Sequence, residues 1–225
     1  MTELEVFKIL ENQIYQIFEK KDKPVRVAIN GIEGTGKTKF AKKLVEYLGG
    51  NRKDVYHIPI DGFHFDKEYR YRQGRDSGLG YFEDAYDEIG FINKVLISSQ
   101  KEPAMITKAT HNVETNQYIN INPIIISDNS ILITDGAYLF KPIFLDYFDY
   151  LIYLKTSFEI ALNRAIKRDT TKLGGLKNTA QLYRNRYHKA SKIYIEKHNP
   201  EQLADCIINN TNFQDLKIEN YKKTY

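Results

Sequence analysis

The chain has 225 residues, of which 42% are hydrophobic and 28% are charged. Its 33 Lys and Arg residues against 29 Asp and Glu residues give a net charge of +4, an excess too weak to indicate nucleic-acid binding. No secretory signal opens the chain, no apolar run approaches the roughly 20 residues that span a bilayer, and the lone Cys206 excludes an intramolecular disulfide. We therefore expect one cytoplasmic domain over residues 1–225, without nucleic-acid or membrane partners.

Periodic apolar residues predict an amphipathic leading helix over residues 3–20, within a segment that ends near residue 22. Short apolar runs then predict strands over residues 25–29, 55–60, 130–134, 150–154 and 205–208. Helical spacing predicts helices over residues 37–48, 84–98, 142–147, 157–169 and 179–197. Gly49 and Gly50 are expected to give the second helix a left-handed cap. The polar segment 106–121 is expected to form a β excursion outside the main sheet.

The alternation of strands and helices predicts an α/β fold with three layers. Strands at this spacing form a mostly parallel central sheet, and the helices between them cover both of its faces. Gly174 and Gly175 interrupt the chain between two predicted helices. Residues 170–178 are therefore expected to form the turn of a small lid.

The residues from Gly31 to Thr38 match the pattern G-x-x-x-x-G-K-[ST] at every fixed position. Glycines allow backbone N–H groups to turn toward a phosphate, and the following helix directs the positive end of its dipole there. Lys37 is expected to reach the β- and γ-phosphates of ATP, and Thr38 to offer its hydroxyl to Mg²⁺. Because a strand precedes the motif and a helix follows it, we expect a fold of the P-loop NTPase type. The predicted nucleotide-binding residues are Gly31, Glu33, Gly34, Thr35, Gly36, Lys37 and Thr38.

Two carboxylates follow predicted strands, at the edge of the sheet where ligands of α/β proteins gather. Asp61 closes the second strand and Asp135 closes the third. Phosphoryl transfer to a hydroxyl needs one group that holds the metal and another that accepts the proton. Asp61 is the candidate base and Asp135, with Thr38, the candidate metal ligand, although the residues alone allow the two roles to be exchanged.

Several further segments resemble the uridine kinase-like branch of the P-loop kinases, a group that includes phosphoribulokinase and pantothenate kinase. The similarity runs from about Val25 to Asn212. The segments that carry it, besides the P-loop, are 61–64, 71–77, 80–87, 132–136, 164–169, 183–187 and 208–211.

The resemblance implies roles for individual residues. It makes Asp61 the base on the acceptor hydroxyl and Asp135 the Mg²⁺ ligand, and it places Arg164 and Arg168 on the transferring phosphates. Two guanidinium groups one helical turn apart share a face, which is consistent with that role, but a solvated basic helix end has the same pattern. The implied activity is ATP-dependent transfer of the γ-phosphoryl group to a small metabolite, a nucleoside or a sugar.

The acceptor side departs from the uridine kinase pattern. Those enzymes carry Tyr where this chain has His64, and a His-x-Arg element of which only His111 is present. Uridine itself is therefore in doubt. His64, His111, Tyr81, Phe82 and Asp84 are the candidate acceptor-binding residues, although the last three could equally be core and turn residues.

A P-loop also occurs in proteins that do not phosphorylate a small molecule. A nucleotide switch or ATPase without an acceptor is the main alternative; a GTPase would need an N-K-x-D element, which the sequence lacks. A nucleic-acid-dependent ATPase is disfavoured by the weak net charge. His57, His188 and His198 show no ligand spacing, so no structural metal is expected. The residues leave open whether the chain forms a homo-oligomer.

Overall fold

The structure is a computed structural model that describes residues 1–50 and 54–222. The helices in those ranges are α1 (Glu3–Phe18), α2 (Lys37–Gly49), α3 (Lys67–Arg70), α4 (Gly78–Asp84), α5 (Glu88–Phe91), α6 (Pro142–Leu145), α7 (Phe158–Asp169), α8 (Leu176–Leu182), α9 (His188–His198) and α10 (Pro200–Leu203). Short 3₁₀ or π segments lie at Ile60–Phe63, Ile92–Ile97, Ser98–Gln100 and Tyr183–Tyr187. No helix within these ranges is both long enough and apolar enough to cross a membrane.

The strands are β1 (Val25–Asn30), β2 (Val55–His57), β3 (Met105–Ile106), β4 (His111–Asn112), β5 (Gln117–Tyr118), β6 (Ile124–Ile125), β7 (Ile131–Gly136), β8 (Tyr150–Lys155), β9 (Cys206–Asn209) and β10 (Lys217–Tyr221). In the described part of the chain, six of them form the central sheet in the order β10-β9-β8-β1-β7-β2. All neighbours in this sheet are parallel except β10, which runs antiparallel to β9. The predicted mostly parallel sheet is confirmed. The pairs β3–β6 and β4–β5 lie outside it, as expected for the polar segment.

Helices cover both faces of the sheet. Side chains alternate along β1, so that Val27 and Ile29 pack with α1 and α2 on one face, while Ala28 joins the core on the other face. The core on the face that Ala28 joins also contains Phe91 and Phe144, whose rings lie 6.2 Å apart. The three-layer arrangement therefore follows from strands that are apolar on both sides.

The first helix forms where its sequence supplies both a cap and an apolar stripe. Thr2 and Glu5 make a capping box, in which Thr2 Oγ1 accepts the N–H of Glu5 and the Glu5 carboxylate accepts the N–H of Thr2 at 2.8 Å. Val6, Leu10 and Ile14 recur at helical spacing and are fully buried. This stripe attaches α1 to the sheet.

Several predicted elements have different bounds. The helix predicted over 84–98 is confirmed from Glu88 onward, but its predicted start is wrong, because α4 ends at Asp84 and a new helix begins at Glu88, where the Asp87 carboxylate accepts the N–H of Gly90. The left-handed cap of α2 is wrong as well, since Gly50 has φ −57° and ψ −31°. Strand β2 ends at His57 because Pro59 cannot donate to the ladder, and Ile60–Phe63 turns away.

The C-terminal part also differs from expectation. The helix predicted from residue 179 begins at Leu176 and reaches His198 through the π turn Tyr183–Tyr187. Strand β10 was not predicted at all, because its sequence, Lys217 to Tyr221, is mostly polar and exposed. An edge strand with one solvated side carries no apolar period that would reveal it.

A buried charge cluster supports the N-terminal end of β1. The Asp149 carboxylate accepts the N–H of Arg26 at 2.7 Å and binds the ammonium group of Lys21 at 2.7 Å. Arg26 is 8% exposed, so Asp149 is the counter-charge of a buried cation. We expect Asp149→Ala to lower the free energy of unfolding by about 2–4 kcal/mol, because a buried charge loses its partner. Equilibrium unfolding in urea measures this change.

Asp128→Ala is the matched control. Its carboxylate pairs with Lys23 at the surface, where the side chain of Asp128 is 45% exposed. Surface pairs are screened by solvent, so unfolding of this variant should match that of the unmodified protein. Equal destabilisation of the two variants would contradict the role given to Asp149.

Candidate active site

The loop between β1 and α2 has the shape of a phosphate cradle. Gly34 and Gly36 have φ of +89° and +101°, and a Cβ on Gly34 would lie 2.4 Å from the carbonyl oxygen of Ala161. Only glycine is accommodated at Gly34 without a shift of the backbone. Gly36 precedes α2 without a side-chain cap, so the first N–H groups of the helix are free to bind an anion.

Lys37 lies across this loop. Its Nζ donates to the carbonyl oxygen of Ile32 at 3.0 Å and is 3.9 Å from a carboxylate oxygen of Glu33. Thr35 is fully buried and its hydroxyl donates to the same carbonyl group. The ammonium group is thus held over the cradle, in a position from which it can bind phosphate oxygens.

A cavity of about 910 Å³ opens next to the loop. It brings together predicted residues from five separate elements or turns, and its walls include Glu33, Gly34, Gly36, Lys37, Thr38, Asp61, Asp135, Arg164 and Arg168. The strands end at this edge of the sheet, as expected for a ligand site in an α/β fold. The P-loop, both predicted carboxylates and both predicted arginines therefore face one space.

Thr38 and Asp135 form the pair expected of a metal site. The hydroxyl of Thr38 donates to Asp135 Oδ2 at 2.6 Å. His57, at the end of β2, donates from Nε2 to the other oxygen, Asp135 Oδ1, at 2.5 Å. A hydroxyl and a carboxylate are ligands that Mg²⁺ accepts, and Mg²⁺ usually completes its shell with water and phosphate oxygens. The donor set fits Mg²⁺, although no group of three acidic, His or Cys side chains that could hold a metal occurs in the described ranges.

Asp61 lies in the 3₁₀ turn Ile60–Phe63, four residues past the end of β2. Its carboxylate is open to the cavity and accepts the hydroxyl of Tyr86 at 3.1 Å. Asp61 is exposed toward the cavity, and desolvation by the surrounding protein is the main cause that raises the pKa of its carboxyl group. The charge of His64 opposes the rise, while those of Glu33 and Asp135 add to it. A carboxylate with a raised pKa is better suited to accept a proton near neutral pH.

Two tyrosines stand beside this carboxylate. Tyr81 donates its hydroxyl to Glu33 Oε1 at 3.2 Å, and its ring lies 4.8 Å from that of Tyr187. Burial holds the pKa values of Tyr81 and Tyr86 well above the usual range, so both hydroxyls remain protonated. Tyr86 thus supplies a neutral hydrogen-bonding group to Asp61, and Tyr81 supplies one to Glu33.

His64 and His111 lie beside the turn that carries Asp61. The Nδ1–H of His64 donates to the carbonyl oxygen of Asp61 at 2.8 Å, and its ring stacks on Tyr86 at 4.4 Å. His111 is 2% exposed, and neither of its ring nitrogens has a hydrogen-bond partner among the described residues. Neither histidine lines the cavity, and their assignment to acceptor binding stays a prediction.

Phe82 and Asp84 are placed elsewhere. Phe82 is buried among aromatic rings, with Tyr138 at 5.4 Å and Tyr194 at 6.4 Å. Asp84 is 1% exposed, and its carboxylate accepts hydrogen bonds from Arg72 and from Gln73 at 2.8 Å. None of Tyr81, Phe82 and Asp84 lines the cavity, but Tyr81 hydrogen-bonds to Glu33, which does.

The two arginines of α7 differ in their contacts. Arg164 donates to the carbonyl oxygens of Thr35 at 3.0 Å and Asn210 at 2.7 Å, and its guanidinium group lies 3.8 Å from the centre of the Phe213 ring. Arg168 instead binds both carboxylate oxygens of Asp169. Arg168 also donates to the hydroxyl of Tyr183 at 2.9 Å, so side chains hold Arg168 whereas backbone groups hold Arg164. Both arginines line the cavity, and Arg168 is the more exposed of the two.

Two residues of this site were not predicted from the sequence. His57 binds Asp135. It is a polar residue at the end of a strand, and that position indicates a side chain at the edge of the sheet where ligands bind. Phe213 forms a wall of the cavity, between Arg164 and Lys39, whose Nζ is 5.4 Å from the ring centre. Its place in the loop after β9 has no local sequence signal.

Solved structures of kinases and of possible kinases resemble this chain. A possible uridine kinase from Bacillus stearothermophilus has a TM-score of 0.65 at 19% identity, covering 88% of this chain and 98% of that one. A D-glycerate 3-kinase from Cryptococcus neoformans has a TM-score of 0.62 at 9% identity, covering 95% and 99%. Phosphoribulokinase from Rhodobacter spheroides has a TM-score of 0.56 at 15% identity, covering 88% and 81%. Identities this low show a shared fold and nothing finer.

The amino-acid sequence itself points to one family. No curated protein matches the chain in sequence. Residues 26–217 match the family described as the phosphoribulokinase/uridine kinase family, a range that holds the P-loop, both carboxylates and both arginines of the cavity. The chain therefore belongs to the phosphoribulokinase/uridine kinase family of P-loop kinases.

Proposed function

We propose that this protein transfers the γ-phosphoryl group of Mg²⁺-bound ATP to a hydroxyl group of a small metabolite, with a nucleoside or a sugar as the expected acceptor. One observation carries the proposal: the P-loop, the pair Thr38–Asp135 and the carboxylate of Asp61 face a single cavity. A nucleotide-binding protein or switch needs the P-loop and the pair Thr38–Asp135. It does not need a further carboxylate with a raised pKa next to the phosphate-binding loop.

Each group of residues would have its own role in the phosphoryl transfer. The loop Gly31–Lys37 would hold the phosphates, and Lys37 would neutralise the charge on the γ-phosphoryl group. Asp61 would orient the acceptor hydroxyl and take its proton as the oxygen attacks. Mg²⁺, held through Thr38 and Asp135, would supply charge neutralisation at the phosphate oxygens. The segment 170–178 would close over the site and exclude water, which otherwise competes as acceptor.

The acceptor has to be found by experiment. The relatives named above differ in what their names say they phosphorylate, so the family leaves this choice open. We would measure ADP release with Mg·ATP in the presence of nucleosides, sugars, sugar phosphates and pantothenate, each against a blank without acceptor. A large rate with one compound supports the kinase. A brisk rate that is equal in every sample, including the blank, would support the ATPase or switch instead.

His57 offers a test of the metal side. Outer residues that orient a metal-binding carboxylate typically change metal affinity by about 10- to 100-fold, and His57 holds Asp135 through its Nε2. We expect His57→Leu to raise the Mg²⁺ concentration for half-maximal activity by about 10-fold, and His57→Gln, which keeps a donor, to restore part of the loss. ATP binding without Mg²⁺ should not change. An unaltered Mg²⁺ requirement in a folded His57→Leu protein would refute the role.

A further inference from the structure

A buried tyrosine hydroxyl is bonded to the candidate base. Tyr86 is 4% exposed, and its hydroxyl donates to Asp61 Oδ1 at 3.1 Å. Within residues 1–50 and 54–222 this is the hydrogen bond that the Asp61 carboxylate accepts, which leaves Oδ2 for another donor. Burying a hydroxyl is costly unless it is bonded, and a phenylalanine would supply the same ring without that cost. The hydroxyl of Tyr86 is therefore best explained by its contact with Asp61.

Backbone hydrogen bonds on both sides of Tyr86 fix its position. The N–H of Phe65 donates to the carbonyl oxygen of Ala85 at 3.1 Å, and the N–H of Asp87 donates to that of Phe63 at 2.8 Å. These bonds form an isolated antiparallel bridge between the two segments. The segment that carries Tyr86 is thus attached directly to the turn that carries the base.

Aromatic packing holds the ring of Tyr86 as well. It lies 4.4 Å from the His64 ring, 6.3 Å from the Tyr81 ring and 6.5 Å from the Tyr138 ring. A side chain that is fixed by its backbone and by three neighbouring rings presents its hydroxyl at one place. The hydrogen bond to the base is therefore built into the fold.

The same hydroxyl connects the base to the P-loop. The hydroxyl oxygens of Tyr86 and Tyr81 are 3.4 Å apart, and Tyr81 donates to Glu33 Oε1 at 3.2 Å. Glu33 lines the cavity, and its carboxylate is 3.9 Å from Lys37 Nζ. Each tyrosine has a single hydroxyl proton and gives it to a carboxylate. Tyr86 therefore serves Asp61, while Tyr81 serves the P-loop.

We propose that Tyr86 is a positioning residue of the phosphoryl transfer, which holds Asp61 by Oδ1 so that Oδ2 meets the acceptor hydroxyl. This inference rests on the proposed kinase function. A hydrogen bond to a carboxylate is stronger than one to a carboxylic acid, so the donor also favours the ionised base. Tyr86 thereby opposes the desolvation that raises the pKa of Asp61.

The pKa of Asp61 can be measured without any acceptor. In the full chain with ¹³C-labelled aspartate carboxyl groups, the nuclear magnetic resonance signal that is missing from Asp61→Asn belongs to Asp61, and its shift is followed against pH. We expect Tyr86→Phe to raise this pKa by about one pH unit. The other groups whose charges act on Asp61 remain in this variant: His64, Glu33, Asp135 and Lys37.

Kinetics tests the positioning role. With the compound that gives the largest acceptor-dependent ADP release, Tyr86→Phe should lower kcat on the pH plateau by about 10-fold and move the acid limb of kcat/KM upward by about one pH unit. KM for ATP should not change. In the Asp61→Asn protein, whose residual transfer is followed with labelled ATP, adding Tyr86→Phe should have no further effect, because Tyr86 acts through Asp61.

Two further variants are controls. Tyr150→Phe removes an equally buried hydroxyl at the start of β8, the opposite end of that strand from the cavity, and should leave both the Asp61 pKa and the kinetics unchanged. Tyr81→Phe should move the Asp61 pKa less than Tyr86→Phe, because Tyr81 donates to Glu33 and not to Asp61.

The outcomes separate this inference from the kinase proposal. An Asp61 pKa and a kcat that do not change in a folded Tyr86→Phe protein overturn the inference and leave the kinase proposal standing. Equal effects of Tyr86→Phe and Tyr150→Phe, or an unreduced effect of Tyr86→Phe in the Asp61→Asn protein, also overturn it. If the unmodified protein transfers phosphate to no acceptor, the kinase proposal fails, and the positioning role fails with it even where the pKa responds.

Discussion

Replacing Lys37 with alanine is expected to lower kcat/KM for ATP by about 10³-fold or more. Its ammonium group lies over the phosphate cradle, 3.0 Å from a carbonyl oxygen and 3.9 Å from the nearest carboxylate oxygen. The charge is thus available to phosphate oxygens in the transition state, where it stabilises most. Steady-state kinetics with a saturating acceptor measures the loss.

The fold of this variant should survive, because the alanine removes a buried cation whose ion pair with Glu33 is long, 3.9 Å. Lys8→Ala is the matched control: Lys8 is an exposed residue of α1, outside the cavity, and its removal should leave kcat/KM unchanged. Turnover retained in a folded Lys37→Ala protein would be incompatible with the role given to the P-loop.

Asp61→Asn is expected to lower kcat by about 10²–10⁴-fold while ATP still binds, because the amide cannot accept the proton of the acceptor hydroxyl. The pH profile gives an independent check. A base acts only when ionised, so kcat/KM should fall as the pH drops through the pKa of Asp61, which enclosure raises above its usual range. That inflection should be absent in Asp61→Asn.

The reciprocal variant separates the two carboxylates. Asp135→Asn should weaken the binding of Mg·ATP, since Asp135 is paired with Thr38 and His57 rather than placed on the acceptor side. A collapse of ATP affinity in Asp61→Asn with kcat preserved would exchange the assignments, making Asp61 the metal ligand and Asp135 the base. Calorimetric titration of each variant with ATP, with and without Mg²⁺, decides between them.

The nucleotide side of the site was predictable because its signals are local. The residues from Gly31 to Thr38 bind phosphate through the conformation of their backbone and through the first turn of a helix. A few neighbouring residues of the sequence determine both features. Asp61 and Asp135 could be placed at the same edge because parallel strands end together. Asp61 nevertheless lies in a 3₁₀ turn beyond its strand, which Pro59 imposes.

The acceptor side was less predictable because distant segments form it. Tyr81, Phe82 and Asp84 lie on one short helix, yet only Tyr81 is directed at Glu33, while the other two bind the core and the preceding loop. The neighbours that each side chain meets are a property of the packed structure and cannot be read from spacing along the chain.

The most direct test of the account follows the γ-phosphate of ATP. With ATP labelled at the γ-position and the acceptor identified by ADP release, the account predicts that the label appears in the acceptor in equal amount to the ADP formed. It also predicts that Asp61→Asn abolishes this transfer while ATP remains bound. If the label instead appears in inorganic phosphate, and no acceptor changes the rate at which it appears, the protein is an ATPase and not a kinase.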